Sequence, residues 1–115
     1  MTWRVDARVP VRVLRELPPL DGKTAVLAEN TEPDLPAHVA RAVFTLRDAP
    51  HPVACLCCQG QGAAAAALAG LFRARATGGP WFDQVVVLVA SDAGAAEVQI
   101  ALTKDILTLA RYKPA

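Results

Sequence analysis

Gln84-Val85-Val86-Val87-Leu88-Val89-Ala90 is the stretch whose reading decides the fold. Its side chains are apolar on both faces, the pattern of a central parallel strand covered on both sides, whereas a half-exposed strand alternates with period two. Immediately before it, Ala63 to Ala76 reads as a helix with Leu68, Leu71 and Phe72 inward and Arg73 and Arg75 outward. The five consecutive alanines that open it have the best helix propensity and let backbones approach closely. Thr77-Gly78-Gly79-Pro80 ends that helix. Immediately after the strand, Ser91 or Asp92 can cap a last helix whose stripe is Val98, Leu102, Ile106 and Leu109.

Towards the amino terminus, Val9, Val11 and Val13 alternate with Pro10 and Arg12, a half-exposed strand that the proline confines to an edge or a start. A turn at Leu17-Pro18-Pro19-Leu20-Asp21-Gly22 leads into Thr24-Ala25-Val26-Leu27-Ala28, a short buried strand. That connection is too short for a parallel crossover of about a dozen residues, so the two strands either pair antiparallel or are not sheet neighbours. Asp34 as cap and Pro36 in the first turn predict a helix with Leu35, Val39, Ala42, Val43 and Leu46 on one face, ending near Ala49-Pro50. Pro52 to Leu56 reads as another strand, broken by Gln59-Gly60-Gln61-Gly62. The alternation predicts one α/β domain over residues 1–115, a three-layer sandwich with an about four-stranded, mostly parallel sheet and three helices.

The 115 residues suffice to close a core without help, and 53% of them are hydrophobic, which disfavours disorder. Aromatic residues are only 5% while alanine numbers 23, so most of the apolar content is small side chains. No apolar run is long enough for a membrane span and the first residues do not read as a signal peptide, so a cytoplasmic protein with no membrane partner is expected. Twelve basic residues against 11 acidic, with no basic cluster, leave no footprint for nucleic acid.

Cys55-Leu56-Cys57-Cys58 is the one chemically pointed feature. Three cysteines in four positions cannot form an intrachain disulfide framework. In a straight strand Cys55 and Cys57 would share a face with Cys58 opposed, but the Gly60 turn lets the backbone curl and bring all three sulfurs inward. Three thiolates suit Zn²⁺ or another borderline ion such as Co²⁺, with His51, Glu29 or a residue near Asp92 as candidates for the fourth position. The alternative is that the cysteines pack as small hydrophobes at the end of a buried strand. A redox role is weaker, because Cys57 and Cys58 are vicinal and lack the Cys-x-x-Cys spacing.

Other features read as structural. Gly22-Lys23-Thr24 looks like the tail of a phosphate loop, but Leu17 stands where the first glycine belongs, and Pro18 and Pro19 remove two N–H donors. A turn before a strand explains it. Asp83 opens the main strand; Ser91-Asp92 stands at its carboxyl end, where open α/β sheets place ligands, although a helix cap explains Asp92 as well. His38 and His51 read as surface residues, and no Ser/His/Asp or Cys/His/Asn set can be assembled.

From Val53 to Tyr112 the chain resembles the amino-terminal domain of the CobW-type metallochaperone GTPases. The resemblance is carried by Ala54-Cys55-Leu56-Cys57-Cys58, by Phe82-Asp83-Gln84-Val85-Val86-Val87 and by Leu109-Ala110-Arg111-Tyr112, in the family's order. It covers about half the chain and implies a degenerate fold of the P-loop NTPase kind, with a Cys-x-Cys-Cys metal site at Cys55, Cys57 and Cys58. Three nucleotide features depart from the family: no phosphate loop with its helix, Leu88-Val89-Ala90-Ser91 in place of Glu-Thr-Thr-Gly, and no Asn-Lys-x-Asp. The expectation is a non-catalytic metal-handling domain without nucleotide. The alternative is a structural or protein-interaction module with packed free cysteines; a phosphoryl-transfer enzyme ranks last.

Overall fold

The computed structural model describes residues 8–20, 22–46 and 62–115. They form an α/β fold with five parallel strands: β1 (Val9–Leu14), β2 (Thr24–Glu29), β3 (Arg41–Phe44), β4 (Gln84–Leu88) and β5 (Tyr112–Pro114). Three helices accompany them: α1 (Ala63–Ala76), α2 (Asp92–Lys104) and α3 (Ile106–Arg111). The strand order is β3-β2-β4-β1-β5.

The stretch Gln84–Leu88 takes the centre, as its two-faced apolarity requires. It pairs with β1 through Val11↔Val85 and Val13↔Val87, and with β2 through Ala25↔Val85 and Leu27↔Val87. Val85, Val87, Ala25, Leu27, Val9 and Val11 face the helices, and Ala64, Ala65, Leu68, Leu71, Val98 and Leu102 close over them. On the opposite face Val26 and Val86 are buried too, so the sheet is covered on both sides, compatible with three layers. Each such valine or leucine contributes about 1.5–3 kcal/mol by leaving water.

β1 and β2 are not neighbours, the second of the two arrangements the short connection allowed: β4 lies between them, parallel to both. Helix α1 has its expected bounds, and Gly78, at φ 99°, is the left-handed residue of a Schellman end in which the Gly79 N–H donates to the Ala74 carbonyl at 2.7 Å.

Two expectations are corrected and one strand is added. Over its described residues, 34–46, the helix expected from Asp34 to Ala49 does not form; Pro36 to Val39 is one isolated turn and Arg41–Phe44 is strand β3. Pairing decides this: without β3, the fully buried β2 would be a bare edge. Val26 N–H donates to Ala40 and Asn30 N–H to Phe44, and Arg41 turns its guanidinium back onto the carbonyls of Leu35, Pro36 and Val39. The last helix is two, because the Asp105 carboxylate accepts from Thr108 N–H at 3.0 Å and starts α3 on a new axis. Ile106, expected in the stripe, is 81% exposed. Tyr112–Pro114, for which the sequence pattern predicted no element, is the edge strand β5 beside β1. The sheet thus has five strands among the described residues, all parallel. The strand expected over Pro52–Leu56 lies outside them.

Candidate functional site

All strands being parallel, their carboxyl ends share one edge, and β1 and β4 meet there at a topological switch point. Residues 15–23 lead from β1 past β4 to β2, whereas α2 and α3 lead from β4 past β1 to β5. Connections that exchange sides in this way lie on opposite faces and leave a crevice outside the strand ends. Arg15, Glu29 and Ser91-Asp92 gather there.

The chain's own carboxylate fills the crevice. Glu29, the last residue of β2, is 6% exposed. Its Oε1 accepts from Ala90 N–H at 2.8 Å and Ser91 N–H at 3.2 Å, and its Oε2 accepts from the Ser91 hydroxyl at 2.7 Å. Ser91 caps α2 in turn, its Oγ accepting from Gly94 N–H at 3.0 Å. Glu29 therefore sits as an internal anion on the N-terminus of a helix, the position at which such folds hold a phosphate. The Ser91 hydroxyl, then the backbone N–H groups and the Arg15 charge, hold its pKa below the ordinary value against the opposing effect of burial.

Two backbone features fit the clamp. Asn30, at φ 67°, lets Thr31 N–H donate back to the Glu29 carbonyl at 2.8 Å, turning the chain sharply just past the carboxylate. Gly94 is required by contact, since a Cβ there would stand 1.8 Å from Glu29 Oε1. Across the crevice Arg15 donates to Asp92 at 2.6 Å, with the Asp92 side chain fully exposed.

Of the residues singled out by sequence, Cys55, Cys57, Cys58 and His51 lie outside the described residues. Glu29 and Asp92 are brought to one edge, Glu29 with both oxygens hydrogen-bonded and Asp92 paired to Arg15. Lys23 and Asp83 meet at the opposite edge, where Asp83 N–H donates to the Lys23 carbonyl, and Gly22-Lys23 is a turn before β2. His38 is exposed, on a loop. Among the described residues no three His, Cys, Asp or Glu form a group able to hold a metal.

Sequence reading missed Glu97. Its carboxylate stands at the start of α1, with Oε1 3.5 Å from Ala64 N and against Gly62, where it borders a groove of about 130 Å³ also lined by Ala65, Ile100 and Lys104. Glu97 lies one residue before Val98 of the buried stripe, which hid it. Comparisons of the chain with protein families, curated proteins and solved structures found no match.

Proposed function

We propose that this chain is a non-catalytic metal-handling domain in which Cys55, Cys57 and Cys58 take Zn²⁺ or another transition ion such as Co²⁺, with no nucleotide bound. The observation that supports the absence of nucleotide is Glu29 at the switch point, and the metal site rests on the Cys-x-Cys-Cys sequence. A phosphate entering there would meet a buried carboxylate already using the Ala90 and Ser91 donors, and like charge repels it. Residues 15–23 offer no glycine-rich cradle, and a β-strand follows Lys23 directly. What remains is the Cys-x-Cys-Cys run, which ends four residues before Gly62 in the sequence. The kinship with CobW-type metallochaperones is part of this proposal and rests on the same residues.

Metal analysis of protein purified without chelator tests it. Stoichiometric zinc, thiolate charge-transfer absorption on Co²⁺ loading and loss of both in Cys57→Ser are expected, with affinity falling steeply as acid protonates the thiols. Titration with Mg²⁺-GTP should give no heat. The contrary result is a metal-free parent in which Cys57→Ser costs about 1–3 kcal/mol of stability, making the cysteines core packing. A protein-interaction module is then the better reading, favoured by the exposed Ile100, Ile106 and Leu107 on α2 and α3.

A further inference from the structure

The amino edge of the sheet holds the chain's least satisfied group. Arg75, in the last turn of α1, is half-buried, and its Nη1 is closed off from solvent without any hydrogen-bond partner. Its guanidinium lies 3.8 Å from the Trp81 ring centre and 5.3 Å from those of Phe72 and Phe82. Arg111 approaches Phe72 from α3 at 4.9 Å, and Phe72 meets Tyr112 edge to face at 6.0 Å. Four of the six aromatic residues of an aromatic-poor chain thus surround two guanidinium groups. Neither arginine has a carboxylate within ion-pair distance among the described residues.

Stacking occupies the faces of a guanidinium and leaves its N–H donors, which lie in its plane, open to a planar oxyanion. A buried donor on a charged group without a partner is costly, so the arrangement stands to gain from a carboxylate. Trp81, 57% exposed, is the cover that an incoming group displaces or stacks upon. Exposed tryptophan beside arginine is also the composition of binding hot spots.

We propose that Arg75, Arg111 and Trp81 form a docking site for an acidic segment of a partner protein, a glutamate or aspartate carboxylate being taken by the two guanidinium groups while the segment packs on the indole. Charge complementarity selects this occupant: two uncompensated positive charges at an aromatic surface, in a chain whose net charge is only +1. The proposal is independent of the reading of the cysteines.

Fluorescein-labelled hexaglutamate, titrated with the full chain at low ionic strength and followed by anisotropy, is the probe. The parent should bind it, Arg75→Gln should weaken binding about tenfold or more and Arg111→Gln by a smaller factor, as expected for losing charge-assisted hydrogen bonds. Arg73→Gln, exposed two residues earlier on α1 and outside the cluster, should bind as the parent does. Where Arg75→Gln fails to fold by circular dichroism, Arg111→Gln and Trp81→Ala decide in its place. The proposal is overturned by a parent that does not bind, by equal weakening in Arg73→Gln, by full competition from equimolar inorganic phosphate, or by tighter binding of oligothymidylate than of hexaglutamate.

Discussion

Glu29 and Arg75 are charged groups drawn into the protein at opposite edges of the same sheet, and their surroundings differ in one respect. Glu29 meets three donors; Arg75 meets three aromatic faces and keeps an Nη1 with nothing to donate to. Burial alone does not mark a functional residue, since a buried charge with all its hydrogen bonds made is part of the framework. Satisfaction separates the two, and it assigns the carboxyl edge to stability and the amino edge to binding.

The largest effect should come from Glu29. Replacing it with alanine leaves the Ala90 and Ser91 N–H groups and the Ser91 hydroxyl without their acceptor, and should cost about 2–4 kcal/mol in denaturant unfolding. A loss no larger than that of an ordinary surface substitution would make the clamp ornamental and dissolve the contrast. The same group imposes a pH dependence. Its folded pKa lies below its ordinary 4.5, so its contribution is fully present above that value and fades as pH falls through the lower, folded one. The stability gap between the parent and Glu29→Gln should therefore narrow on acidification from neutral pH, and a gap constant to strongly acid pH would refute the assignment.

Two glycines sharpen the point without touching a charge. Ala in place of Gly inside a helix ordinarily stabilises by about 0.5–1 kcal/mol, and Gly70, with open space where a Cβ would stand, should behave so. Gly94 should reverse the sign. Its added Cβ would collide with Glu29 Oε1, which cannot swing aside without giving up its donors, and the expected cost is about 1–3 kcal/mol. Thermal unfolding of the two single variants measures both, and equal signs would mean that Glu29 is free to move.

Much of this framework is legible in the sequence. Two-sided apolarity put Val85–Val87 at the centre, and the brevity of the β1 to β2 connection excluded their pairing in parallel, leaving antiparallel neighbours or separated strands. The β3 misreading has an identifiable source: Ala40, Ala42, Phe44 and Leu46 alternate with period two and all meet the core, but Leu35, Val39, Ala42, Val43 and Leu46 also fit a helical stripe, and Asp34 with Pro36 suggested a helix start. Only the need of β2 for a partner, a tertiary fact, chooses between them. Asp105 as a second cap was open to the same rule that found Ser91, but the continuing apolar spacing masked it. The binding edge was invisible for another reason. Arg75 sits on the polar side of the α1 pattern, and its partners Trp81 and Phe82 arrive from beyond the helix end, where no periodicity reaches.

The smallest stability change, and the one that tests the contrast most directly, is Arg75→Met. Methionine keeps the length of the aliphatic stem and its contact with Phe72, Trp81 and Phe82 while removing the unmatched donor and its charge. Lost cation–π attraction, about 0.5–2 kcal/mol, opposes the relief of a buried unpaired donor of about 1–3 kcal/mol, so the net change should fall between a loss of about 1 and a gain of about 2.5 kcal/mol, centred on a gain of about 1 kcal/mol or less. Chemical denaturation would read that difference, and the same variant should lose binding to hexaglutamate. A protein made no less stable, and at the same time blind to its acidic probe, is what a residue kept for recognition produces. A loss of about 2 kcal/mol or more would instead class Arg75 with Glu29 as framework, since stacking on three rings would then outweigh its missing hydrogen bond.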